Sequence, residues 1–217
     1  VERRDVTFID TEALLKPITR LADVLRMGRG KGWTTVTALN ALAYPYFETL
    51  VWRQFSSAIK TGEYDVVHRV TPLTPTTATI LAPKCKAAKV PFVIGPLNGG
   101  VPWPAAFDAE RRQEREWLSY IRGIYIVSPR RRRMLDSAAA IVVGSRHTES
   151  EIPDVYRDKT FWIPENAIDP NRFAKVKSTF TPGPLKAIFV GRLVPYKGPD
   201  MLIEAARRLL ADNKMTL

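Results

Sequence analysis

The strongest constraint on the fold of this chain is an alternation. Short apolar, β-rich runs take turns with longer segments whose apolar residues recur at helical spacing. The strand-like runs are DVTFID (5–10), YDVVHRV (64–70), PFVIG (91–95), AAIVVG (139–144), KTFWIP (159–164) and KAIFVGR (186–192). Helix-like segments lie between and after them. The first is KPITRLADVLRM (16–27), with Ile18, Leu21, Val24 and Leu25 on one face and Pro17 near its start. The others are residues 33–62, 74–89 and 105–137, SRHTESEI (145–152) and GPDMLIEAARRLLADN (198–213). Strands separated by helices pair in parallel, because the helix carries the chain back to the same sheet edge. The expected class is therefore α/β, a parallel sheet with helices on both faces.

Local signals refine this outline. Pro45 predicts a break or kink in the 33–62 helix, and Gly62 its end. Ser145 predicts an N-cap. GRGKG (28–32) and PLNGGVPWP (96–104) read as loops. KVKSTFTPGPL (175–185) reads as a linker and divides the chain into residues 1–172 and 173–217. One strand and one helix after that linker cannot bury a core, so further βα units are expected to complete the second domain. The chain starts at Val1 without a signal-peptide pattern, as a fragment or processed chain would.

Composition narrows the chemistry. Cys85 is the single cysteine, which excludes an internal disulfide and Cys-rich zinc patterns. His68 and His147 are too few for a histidine metal cage. No run of eighteen apolar residues suggests a spanning helix. The formal net charge of +11, from 33 basic and 22 acidic residues, favours anionic partners: phosphates, nucleic acid or an acidic membrane surface.

Arg192 and Lys197 stand between the last strand-like run and the last helix. At the carboxyl edge of a parallel sheet, a phosphate meets backbone N–H groups and the positive end of a helix dipole. Arg grips two phosphate oxygens and Lys adds a compact charge, while Gly191 and Gly198 let the backbone approach. The other reading is a solvated turn at Pro195. In GPLNGG, the residues Asn98, Gly99 and Gly100 follow a strand, where paired glycines expose N–H groups to a ligand or serve a tight surface turn. Residues 110–134 are basic and aromatic, with Trp117, Leu118, Ile121, Ile124 and Tyr125 at helical spacing. Such a segment is a core helix with solvated arginines, or lies on an anionic membrane. Four consecutive arginines also suit nucleic-acid phosphates, although no RNA-binding signature accompanies them.

FVGRLVPYKGPDMLIEAARRL resembles the strand–loop–helix signature V-G-R-L-x-x-x-K-G of the family 4 retaining glycosyltransferases, of group 1 type, which have the two-domain GT-B fold. WIPENAIDPNRF (162–173) resembles that family's I-P-N-G-V-D segment, with Ala167 where the family has glycine. AAIVVGSRHTESEI, YDVVH and PFVIGPLNGG extend the resemblance from about residue 62 onward. The resemblance implies a nearly complete N-terminal Rossmann-like domain on the acceptor side. It also implies the first βα unit of a C-terminal nucleotide-sugar-binding domain. By position, Arg192 and Lys197, with Gly191 and Gly198, would bind the diphosphate of a nucleotide-diphosphate sugar. Asn98, Gly99 and Gly100 would line the acceptor side. His68 takes the first position of an H-x-H found in many members, whose second histidine is Val70 here, so it is a candidate catalytic residue or a structural one.

The implied activity moves a sugar to a saccharide or lipid-linked acceptor with retention of configuration. No cofactor or divalent metal is expected, since a D-x-D pair is lacking. A cytoplasmic place is implied, peripheral on the inner face of a membrane. Residues 1–217 alone are expected to be inactive as a transferase, because the family's later E-x7-E motif lies beyond them. Other GT-B enzymes, such as an epimerase or phosphorylase, share this outline. A non-catalytic basic module that binds RNA or anionic membrane is the alternative.

Overall fold

The computed structural model describes residues 6–25, 33–99, 101, 105–107, 126–173, 182–191, 193 and 197–217. The chain divides into two units, Val1–Pro102 with Trp117–Asn166, and Trp103–Glu116 with Ala167–Leu217.

The first unit is α/β. Four strands, β1 (Val67–Arg69), β2 (Phe92–Leu97), β3 (Ala140–Val143) and β4 (Thr160–Trp162), form one parallel sheet in the order β1-β2-β3-β4. This is compatible with a Rossmann-like fold. The helices are α1 (Glu12–Leu25), α2 (Trp33–Thr61), α3 (Leu81–Ala87), α4 (Pro129–Ser137) and α5 (Arg146–Ser150). The core gathers where the central strands meet the short helices. Phe92, Ile94 and Leu97 of β2 and Ile141 and Val143 of β3 are buried with Leu81 and Cys85 of α3 and Met134 and Leu135 of α4. Each such side chain contributes about 1.5–3 kcal/mol on full burial, so the two middle strands hold the unit together.

The β2–β3 ladder contains an irregularity between Ile94 and Leu97. Gly95 sits there at φ +120°, and a Cβ on it would lie 2.1 Å from the Val142 carbonyl oxygen. Only glycine allows the neighbouring strand so close.

Several elements differ from the sequence expectation. DVTFID is not a strand where it is described: residues 6–10 have no partner strand among the described residues, and Phe8 is 90% exposed. Asp10 Oδ1 instead accepts from Glu12 N at 2.8 Å and turns the chain into α1, four residues earlier than periodicity placed it. Pro45 does not break α2, which runs 29 residues through it. Glu48, just past Pro45, accepts hydrogen bonds from Thr79 Oγ1 and Ile80 N, which hold α2 to the segment before α3 and offset the one lost amide. Gly62, at φ +80°, does close α2. Its N–H donates to Ile59 O at 3.4 Å, and Glu63 N–H donates to Ala58 O at 3.0 Å.

The helix expected over 74–89 begins only at Leu81. Threonine hydroxyls compete with helical bonding ahead of it: Thr74 Oγ1 accepts from Thr76 N at 3.3 Å, and Thr79 Oγ1 from Leu81 N at 3.0 Å. Strand β2 extends through Pro96 and Leu97, which sequence reading gave to the loop, because Leu97 is buried opposite Val143. The helical expectation over 105–137 divides. Ala105–Phe107 is a 3-10 turn, Pro129–Ser137 is α4, and 108–125 lie outside the described residues. Arg130, Arg132 and Arg133 are exposed on α4. Arg131 turns inward and donates through Nη2 to Glu151 O at 2.8 Å, so the four-arginine run is not one basic face.

The second unit contains β5 (Leu185–Lys186), α6 (Pro199–Ala211) and β6 (Met215–Thr216). The two strands pair in parallel, Leu185 with Met215 and Lys186 with Thr216. β6 was not read from the sequence, and β5 is shorter than KAIFVGR. Ala187 N still donates to Thr216 O at 2.8 Å, but residues 188–190 have no strand partner among the described residues, and Ile188 is 83% exposed. Among the described residues, no helix is long and apolar enough to cross a membrane.

Candidate functional site

Parallel pairing brings three successive strand ends to one edge of the first unit's sheet. Leu97 stands opposite Val143, and Val143 opposite Trp162. Asn98, Gly144 and Ile163 therefore leave the sheet side by side. The ladder continues to this edge, with Gly144 N donating to Leu97 O at 2.7 Å and Ile163 N to Val143 O at 3.0 Å.

Asn98 is anchored at three points. Its backbone N–H donates to Leu73 O at 2.8 Å. Its Oδ1 accepts from Gly99 N at 2.8 Å, and its Nδ2 donates to Glu165 Oε1 at 2.5 Å. These partners fix the amide orientation, since only the NH2 can face a carboxylate and only the oxygen can face an N–H. Gly99 lies at φ +113°, on the side of backbone space that favours glycine. Its carbonyl accepts from Thr148 Oγ1 at 3.1 Å. Thr148 is fully buried in α5, and Ser145 Oγ accepts from Thr148 N at 3.2 Å, as the N-cap expectation required. The loop after β2 is thus tied to the helix after β3.

Gly144 makes the Asn98–Glu165 meeting spatially feasible. A Cβ at 144 would lie 3.2 Å from Glu165 Oε2 and 3.3 Å from Asn98 Cβ. Sequence reasoning found Asn98 and Gly99 but missed Glu165. The available signal was a carboxylate just past a strand-like run in a parallel sheet, at the edge where ligands bind. Gly100 lies outside the described residues.

His68 is exposed within β1, and its Nε2 is 2.8 Å from Gly95 O. A carbonyl oxygen can only accept, so that nitrogen carries a proton and donates. Among the described residues no hydrogen bond joins His68 to Asn98 or Glu165.

A buried polar cluster, also absent from the sequence reading, braces the segment between β1 and α3. Glu48 of α2 is fully buried. Its Oε1 accepts from Thr79 Oγ1 and its Oε2 from Ile80 N at 2.7 Å. Burial raises its pKa, against the lowering effect of these bonds and of Arg69 and Lys84. Arg69, also buried, donates through Nη1 to Thr77 O at 2.9 Å, while its Nε and Nη2 have no hydrogen-bond partner among the described residues. Burial lowers its pKa. Its guanidinium lies 5.8 Å from the centre of the Tyr44 ring. The Tyr44 hydroxyl donates to Thr71 O at 2.7 Å, and its pKa is pushed up to about 12, first by burial and then by Glu48.

In the second unit, Gly198 is the N-cap of α6 at φ +65°, ψ +37°, with Pro199 beginning the helix. Leu202 N donates to Gly198 O at 3.0 Å. A Cβ at 198 would meet Met201 Sδ at an ordinary 3.5 Å, so backbone angle rather than space calls for glycine. Lys197 is exposed immediately before this N-terminus. Early helix amides without intrahelical partners, beside a lysine, can accept an anion. Asp200, in the first turn, adds negative charge at the same end. Gly191 is described, and Arg192 lies outside the described residues.

Among the described residues, no group of three or more His, Cys, Asp or Glu could hold a metal ion. No family profile matches this chain, and comparison with curated proteins and solved structures also finds no match.

Proposed function

We propose that this chain belongs to a retaining glycosyltransferase of GT-B type that moves a sugar from a nucleotide-diphosphate sugar to a saccharide or lipid-linked acceptor. The carrying observation is the conjunction at Lys197–Gly198. The ordered motif G-R-L-x-x-x-K-G ends there on a left-handed N-cap glycine that opens a 13-residue helix. The parallel sheet of the first unit, with Asn98 and Gly99 at its carboxyl edge, supports an acceptor side there.

In this reading the bond between the anomeric carbon and the β-phosphate oxygen breaks, and negative charge grows on the departing phosphate. Lys197, the early amides of α6 and Arg192 stabilise that charge more in the transition state than in the bound substrate. Charge-assisted hydrogen bonds contribute about 1.5–3 kcal/mol each. The two cations would then supply roughly two to four orders of magnitude in rate. The placement is cytoplasmic, with the acceptor reached at the inner face of a membrane.

The test is a donor screen on the full-length protein with UDP-, GDP- and ADP-sugars, alongside Arg192→Ala and Lys197→Ala. Each variant is expected to lose about tenfold to a hundredfold in transfer. Full transfer in both variants would remove the diphosphate assignment.

A further inference from the structure

We infer that Asn98 and Glu165 form a hydroxyl-binding subsite for a neutral saccharide at the carboxyl edge of the first unit's sheet, with Glu165 as the residue that sets both its orientation and its charge. This rests on the glycosyl-transfer reading for the nature of the ligand, an acceptor sugar, and on the observed geometry for the site.

Three observations carry it. Asn98 is immobilised before any ligand arrives, through Leu73 O, Gly99 N and Glu165 Oε1. An amide held this way loses little freedom on binding. The pair also has unused capacity. Nδ2 has a second proton and Glu165 a second oxygen, and among the described residues no hydrogen bond occupies either. Finally, Gly144 opens the space: an ordinary side chain there would press on both partners.

The chemistry of this capacity selects the ligand. An N–H donor beside a carboxylate acceptor complements a hydroxyl group, which accepts from the first and donates to the second. A pair of neighbouring hydroxyls engages both. A carboxylate repels phosphate and carboxylate ligands, so the anionic part of a donor belongs elsewhere. A simple cation would use Glu165 but leave the amide proton without a role. Glu165 is exposed, so a ligand can reach it.

The test uses saturation-transfer NMR on the 217-residue chain with D-glucose, D-galactose, D-mannose and N-acetyl-D-glucosamine, and in parallel with UDP and GDP. At least one sugar is expected to show transfer. Glu165→Gln should weaken its binding about tenfold or more, since the second carboxylate oxygen is replaced by an amide NH2. Asn98→Ala should do the same, and the distant Asp154→Asn should not. Glu165 is a surface residue, so its variant keeps the test valid if Asn98→Ala misfolds; unchanged circular dichroism verifies the fold. No response from any of the four sugars, or equal binding by Glu165→Gln, overturns the subsite. Sugar binding that is lost in Glu165→Gln upholds the subsite whatever UDP and GDP do, while full transfer by Arg192→Ala and Lys197→Ala in the donor screen removes the donor reading and leaves the subsite standing.

Discussion

Replacing Gly95 by alanine separates two effects that glycine usually combines. Gly95 has φ +120°, and its added Cβ would lie 2.1 Å from Val142 O and 2.9 Å from Val142 C. Real Cβ contacts essentially never fall below 3.0 Å, so the backbones of β2 and β3 must part by about 1 Å. The strained backbone angle costs about 1–3 kcal/mol. Forcing the ladder apart costs about 1–3 kcal/mol more. Gly62 provides the control, because it has φ +80° but no atom within 4 Å of its added Cβ. Gly62→Ala should therefore lose only the left-handed penalty, about 1–2 kcal/mol. Urea unfolding followed by tryptophan fluorescence measures both. With a slope of about 1–3 kcal/mol per molar for small proteins, Gly95→Ala should lower the midpoint by roughly 1–2 M. Equal midpoints for the two variants would refute the close-approach argument, since backbone angle alone would then account for both.

Two further outcomes follow from buried groups. Cys85 is fully buried, and its pKa is pushed up to about 11, first by burial and then by Glu48. At pH 8 its thiolate fraction is about a hundredfold below that of an ordinary thiol, and maleimide labelling should proceed only on unfolding; rapid labelling of the native chain would contradict this. Glu48 has a raised pKa, so its protonated form favours the folded state. Its contribution is fully present below the ordinary carboxyl value of 4.5 and is lost as pH rises through the raised value. The stability of the parent minus that of Glu48→Gln should accordingly fall from pH 4.5 upward in urea titrations; a rising difference would reverse the assignment.

The sheet was legible in the sequence because its central strands are continuous apolar runs. Buried strands of a parallel sheet show this pattern, and PFVIG and AAIVVG were located within two residues. What escaped the reading depended on partners distant in the chain. DVTFID has the composition of a strand, but its residues 6–10 have no partner strand among the described residues. Thr79, just before α3, is held by Glu48, which stands on another helix and which no local pattern reveals. The candidate site divides in the same way. Asn98 and Gly99 announce themselves through loop composition. Glu165 gains its meaning only when parallel pairing sets it beside Asn98, 67 positions away.

The chain-order arrangement of β1 to β4 also bears on how this scaffold can change. Side chains that maintain solidity lie inside the strands, whereas the groups available for recognition occupy the short stretches just past them. In the proposed subsite, a substitution at exposed position 165 would retune what is grasped while the hydrophobic interior stays intact. An exchange at position 95 would disturb the framework without replacing Asn98 or Glu165. Under that proposal, heritable variation in ligand preference and heritable variation in robustness have separate addresses in this sequence.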